Sequence, residues 1–223
     1  MRPAPIVVEK DALGAEGADW VARALKEALA EGKRASLALS GGSTPAPAYR
    51  ELAKRDVPWA RVDFYFVDER FVPPDHPESN YLLAEETLFK PLGVPPEHIY
   101  RMQGERTDRD QAARDYEKQL PPALDVVVLG MGEDGHTASL FPGNTALQEK
   151  ERRVLAVVGP KPPPWRMTLT LPVLQSARKV LGLVSGAGKR DVVRRVLAGE
   201  DLPAAKVQHT QWMMDRAAAG QGQ

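Results

Sequence analysis

The chain has 223 residues, with 30 basic and 30 acidic side chains and no cysteine. A balanced charge supplies no global field to attract nucleic acid or anionic lipid, so any anion must be held by a local site. Without cysteine, disulfide frameworks, zinc-thiolate centres, iron–sulfur clusters and a cysteine nucleophile are all excluded. Residues 1–10 lack the apolar core of a signal peptide, and no later run approaches the length of a membrane span. The expectation is a cytoplasmic chain that is neither secreted nor membrane-bound, with residues 1–223 forming one domain.

Short β-branched runs alternate with helical stretches along the whole chain, the pattern of a sheet covered by helices. Trp20, Val21, Ala24, Leu25, Ala28 and Leu29 recur at helical spacing up to Gly32. Ala35 to Leu39 reads as a strand that breaks at Ser40-Gly41-Gly42. A helix follows, with Thr44 as N-cap and Pro45 at its first position. Val62 to Val67 is a strand running into Asp68-Glu69-Arg70, and a helix is expected from Ser79 to Phe89. Thr107 to Gln119 is a polar helix, and Asp125 to Leu129 a strand apolar enough for the centre of a parallel sheet. Val154 to Val158, Met167 to Leu171 and Val180 to Val184 are further strands. Asp191 to Ala198 is a helix closed by Gly199, and Val207 to Met214 is a last strand. The fold class is therefore α/β, a sheet with helices on both faces.

Ligands of open α/β sheets bind beyond the carboxyl ends of the strands, which predicts that the segments after Leu39, Val67 and Leu129 converge on one crevice. Ser40-Gly41-Gly42-Ser43-Thr44-Pro45 puts glycines, hydroxyls and a fresh helix N-terminus together, which suits either a phosphate or an ordinary capped turn. Ser185-Gly186-Ala187-Gly188-Lys189 is not a P-loop, because Leu183 and Arg190 stand where glycine and Ser/Thr are needed. What remains there is an amine beside a helix start. Gly130-Met131-Gly132-Glu133-Asp134-Gly135 matches a dinucleotide fingerprint, but no acidic residue follows Val154 to Val158. Without a nucleotide, Asp134 and His136 are left as a carboxylate and an imidazole on one glycine-flexible loop, a general base with its partner or else a capping Asp before a surface His. There is no G-x-S-x-G elbow, and His76, His98, His136 and His209 show no metal-binding spacing. No metal and no cofactor is expected.

Together these segments resemble the 6-phosphogluconolactonases, within the larger group that includes the glucosamine-6-phosphate deaminases. The resemblance is carried by Leu39-Ser40-Gly41-Gly42-Ser43-Thr44-Pro45, by Val67-Asp68-Glu69-Arg70-Phe71-Val72-Pro73 with Ser79-Asn80-Tyr81, and by Leu129 through Gly143 around His136. Pro162 through Pro172 and Gly186-Ala187-Gly188-Lys189 complete it. It implies a Rossmann-like α/β fold, with a mostly parallel sheet and helices on both faces, and hydrolysis of 6-phospho-D-glucono-1,5-lactone to 6-phosphogluconate in the oxidative pentose phosphate route. Deaminases follow Gly-His with Ile-Ala-Phe-Asn-Glu-Pro, whereas Thr137-Ala138-Ser139-Leu140-Phe141-Pro142 offers no carboxylate. A sugar-phosphate isomerase or deaminase and a non-catalytic phosphosugar sensor are the alternatives.

The expected roles follow from that reading. His136 is the base that activates water, and an ordinary imidazole titrates near about 6.5, suited to moving a proton both ways. Asp134 orients it. Arg70 and Lys189 hold the phosphate with Gly42, Ser43 and Thr44, while backbone N–H groups near Gly41 and Gly42 could face the oxyanion. Asp68, Asn80 and Arg166 contact sugar or phosphate. The partner is a small phosphorylated lactone, with no nucleic acid and no membrane, and the chain is expected to be a monomer or weak dimer.

Overall fold

A computed structural model describes residues 2–221; Met1, Gly222 and Gln223, the ends of the expected domain, lie outside the described residues. The strands are β1 (Ile6–Val8), β2 (Ala35–Leu39), β3 (Val62–Phe66), β4 (Asp68–Arg70) and β5 (Val126–Leu129). They continue with β6 (Val154–Val158), β7 (Trp165–Leu169), β8 (Lys179–Val184) and β9 (Gln211–Asp215). The helices are α1 (Leu13–Glu31), α2 (Pro45–Leu52), α3 (Asn80–Ala84), α4 (Lys90–Leu92), α5 (Arg109–Glu117), α6 (Leu171–Ser176), α7 (Arg190–Leu197) and α8 (Pro203–Lys206). A π turn over Glu85–Phe89 joins α3 to α4, so the chain is helical throughout 80–92.

Six strands form the main sheet in the order β1-β9-β8-β5-β2-β3, and every neighbouring pair in it is parallel. All residues of β2 and β5 are buried, which is why β5 reads as an unbroken apolar run and β2 as one interrupted only by Ser36. The chain leaves β2 for β3 on one side, then returns to β5 and continues through β8 and β9 on the other. The order therefore reverses between β2 and β5, and a crevice opens at such a point beyond the strand ends. The turns after β8, β5 and β2 consequently lie side by side. Tyr49 of α2 fixes the last of these from below: its hydroxyl donates to Ser40 O at 2.7 Å and accepts from Ser40 N at 3.0 Å.

The α/β, mostly parallel architecture is as the sequence predicts, and several details differ. Asp68-Glu69-Arg70 is not the tail of β3 but a strand of a second sheet, β4-β7-β6, in which both pairings are antiparallel. Alternation within three residues of mixed polarity carries no strand signal, and only pairing with β7 makes one. β7 runs Trp165–Leu169 rather than Met167 to Leu171, because Pro172 at the second position of α6 starts a helix there. β9 begins at Gln211, since Pro203 opens the short α8 ahead of it. Thr44 stands at the cap of α2, but in helical backbone geometry and with no side-chain hydrogen bond to the helix. Thr44 is one of the residues that line the crevice. Among the described residues, no helix is long and apolar enough to cross a membrane.

Candidate active site

A cleft of about 240 Å³ opens at the reversal point. The Ser40 to Pro45 turn, Gly130 to Gly132, His136 to Ala138, and Ser185 with Lys189 line it from the main sheet, while Asp68, Arg70, Asn80 and Arg166 close it from the second sheet and the start of α3. Every residue expected at the site lies on this cleft except Asp134, which stands behind His136. The structure thus gathers residues as far apart in sequence as Gly41 and Lys189 into one pocket.

The loop after β5 presents the imidazole. Gly132 N donates to His136 O at 2.9 Å and Gly135 N to Gly132 O at 2.9 Å, closing a tight turn in which Gly135 takes a φ of 86°. Asp134 Oδ1 then meets His136 Nδ1 at 2.6 Å and accepts from His136 N at 3.0 Å. Burial pushes the Asp134 carboxyl up, but the His136 backbone N–H and the imidazole outweigh it and hold the group below the usual carboxylate range. Asp134 is therefore an acceptor only, so Nδ1 carries the hydrogen and Nε2 has the free lone pair. Phe141 packs against the ring at 4.7 Å between centroids and limits its rotation. Gly132 is required for the same packing: a Cβ there would lie 2.1 Å from both Cε1 and Nδ1 of His136.

The opposite wall is cationic. The β4–β7 register sets Arg70 directly across from Arg166. Arg166 is buried, with Nε donating to Pro163 O at 2.9 Å, and its pKa is pushed down first by burial and then by the neighbouring Arg70 charge. Arg70 donates through Nη1 to Glu78 O at 2.8 Å and to Glu78 Oε2 at 3.0 Å, while its buried Nε has no partner among the described residues. Two adjacent guanidinium groups with donors to spare favour an anion between them and the β2 turn. Lys189 completes this field, its Nζ hydrogen-bonded to Met131 O. Burial lowers its pKa, and the charges of Glu133 and Asp134 pull it back up.

The floor between base and cations is a polar network. Ser139 Oγ donates to Asp68 Oδ2 at 2.7 Å, and Asn80 Nδ2 donates to Asp68 O at 3.0 Å and Oδ1 at 3.2 Å. The Asn80 amide presses on the β2 turn so closely that a Cβ on Gly41 would sit 1.8 Å from its Oδ1. The sequence does not mark Tyr49, Met131, Phe141 or Ser139, all of which shape the cleft. Ser139 and Phe141 follow His136 within a few residues, and that spacing was the available signal. Tyr49 reads as an ordinary core residue, and Met131 acts only through its carbonyl, so neither is visible by type.

Residues 8–215 match the family described as glucosamine-6-phosphate isomerases/6-phosphogluconolactonase. The chain is 42% identical to the human 6-phosphogluconolactonase over 229 residues, 93% of this chain and 88% of that one. It is 37% identical to the 6-phosphogluconolactonase of Nostoc over 233 residues, 97% of this chain and 96% of the other. A solved 6-phosphogluconolactonase from Trypanosoma brucei superposes with a TM-score of 0.88 at 29% identity, covering 99% of each chain. With the match extending from β1 to β9, the chain belongs to the glucosamine-6-phosphate isomerase/6-phosphogluconolactonase family.

Proposed function

We infer that this chain is an enzyme that hydrolyses 6-phospho-D-glucono-1,5-lactone to 6-phospho-D-gluconate in the pentose phosphate pathway, with His136 as the general base. The single observation that carries the assignment of the base is the 2.6 Å contact between Asp134 and His136 Nδ1, which leaves Nε2 as the nitrogen able to take a proton at the cleft.

A lactone is an activated ester, so positioning of water and proton transfer suffice for its opening. Nε2 takes a proton as the water oxygen bonds to C1, and Asp134 stabilises the resulting imidazolium. As the tetrahedral intermediate collapses, the bond from C1 to the ring oxygen breaks and the imidazolium returns its proton to that oxygen. Arg70, Lys189 and the Gly42-Ser43-Thr44 turn hold the phosphate, and Gly41 and Gly42 offer backbone donors to the developing oxyanion. Asp68, Asn80 and Arg166 face the sugar and the phosphate edge. We further propose that the chain works as one domain in the cytoplasm, as a monomer or weak dimer, since one copy supplies the whole wall of the cleft.

Purified protein is expected to speed lactone opening above the subtracted spontaneous rate and to release no ammonia from glucosamine 6-phosphate. Ammonia release would move the assignment to the deaminase branch, and ligand-induced thermal stabilisation without turnover would make the chain a sensor. Within the lactonase reading, Arg70→Ala and Lys189→Ala are each expected to raise KM far more than they lower kcat, because a phosphate remote from C1 is bound equally in ground and transition states. An unchanged KM in both variants would remove them from the phosphate site.

A further inference from the structure

Glu69 sits between two cleft residues in the chain, yet strand alternation sends its side chain to the face of β4 away from Asp68 and Arg70. It is 3% exposed. Buried carboxylates need compensating donors, and here four converge on it. Oε1 accepts from Arg70 N and Asn80 N, both at 2.8 Å, and Oε2 accepts from Tyr81 N at 2.9 Å and Ser79 Oγ at 3.1 Å. Burial raises the pKa of the carboxyl, and the three backbone N–H groups oppose that rise without cancelling it.

Two of those N–H groups are the first donors of the helix over 80–92, which have no partner within a helix. Ser79 Oγ, the fourth donor, itself accepts from Leu82 N at 3.2 Å, so the same carboxylate also steadies the helix cap. The height of this helix start determines where the Asn80 amide lies. That amide has little freedom, since it must reach both Asp68 oxygens while clearing the Cα of Gly41. Glu69 therefore joins the strand carrying Asp68 and Arg70 to the helix carrying Asn80.

We propose that Glu69 is a positioning residue for substrate binding, fixing Asn80 at the cleft without touching the substrate itself. The proposal rests on the reading that Asn80 contacts the phospholactone. A purely structural role would lower the folded fraction and leave the kinetics of the folded molecules intact. A positioning role changes KM in protein that remains folded.

The test is Glu69→Gln in the full-length chain, which keeps the size of the side chain but turns an amide NH₂ toward donors that need an acceptor. Because hydrogen bonds to a charged group exceed neutral ones in strength, KM for the lactone should rise roughly tenfold, with kcat little changed and circular dichroism native. The double variant Glu69→Gln with Asn80→Ala should show a KM no higher than Asn80→Ala alone, as expected when one residue acts through the other. Additive effects, an unchanged KM, or a fall in kcat at constant KM would each overturn the proposal. Should Glu69→Gln fail to fold, Ser79→Ala removes one donor and the cap and should still raise KM, by a smaller factor; no rise there overturns the proposal too. A normal KM in Asn80→Ala alone would instead withdraw Asn80 from the binding set, and with it the route by which Glu69 acts.

Discussion

Replacing His136 by alanine is expected to lower kcat roughly a hundredfold or more, with only a modest change in KM. Such a loss corresponds to about 2.7 kcal/mol of transition-state stabilisation, the scale expected when a positioned base is removed. The size follows from the geometry. Asp134 holds Nδ1 at 2.6 Å and Phe141 restrains the ring from the side, so the native imidazole needs no reorientation to receive the proton. Asp134 remains charged throughout the range in which an imidazole is neutral, because its carboxyl lies below the usual range. It can therefore stabilise the imidazolium as it forms. KM should move little, because the groups proposed to hold the phosphate, Arg70, Lys189 and the Gly42-Ser43-Thr44 turn, are all separate from the imidazole and stay in place. The measurement is steady-state hydrolysis with the spontaneous rate subtracted, and near-normal turnover in the variant would remove His136 as the base.

Much of this site is legible in the sequence because parallel α/β chemistry concentrates at strand ends. The three strand-end segments singled out in the sequence, Ser40 to Pro45, Asp68 to Arg70 and Gly130 to His136, all reach the cleft. β2 and β5 are wholly buried and mostly or entirely apolar, so their ends are sharply marked. What the sequence does not mark is pairing. β4 exists only because β7 lies beside it, and the antiparallel register that opposes Arg70 to Arg166 has no local signature. β1, three half-buried residues that pair only with β9 at the sheet edge, is missed for the same reason. Roles carried by backbone atoms are hidden too, as with the Met131 carbonyl that holds Lys189 and the N–H groups that converge on Glu69.

The glycine pattern that imitates a dinucleotide fingerprint has its physical explanation in the packing of this loop, and the second large prediction follows from it. Gly132→Ala is expected to reduce kcat by an amount comparable to His136→Ala, although position 132 carries no functional side chain. Its Cβ would lie 2.1 Å from Cε1 and Nδ1 of His136 and 2.8 Å from Asp134 Oδ1, so it would strike both members of the pair at once. The loop cannot easily yield, because Gly132 N–H is bound to His136 O and Gly132 O to Gly135 N–H, each at 2.9 Å. Relief must come from rotating the imidazole away from Asp134, and a displacement of about 1 Å in a catalytic group can itself cost a hundredfold in rate. The base would then be present but misdirected, its Nδ1 no longer held and its Nε2 no longer aimed at the bound lactone. Two readouts separate this from a general loss of structure. Thermal melting should show a folded protein, since Glu133 and Asp134 of the loop are exposed and Gly132 and His136 only half-buried. The double variant Gly132→Ala with His136→Ala should be no slower than His136→Ala alone, because a displaced base and a missing base are the same defect. A Gly132→Ala enzyme with wild-type kcat would mean that the close approach of the imidazole to this backbone has no part in catalysis.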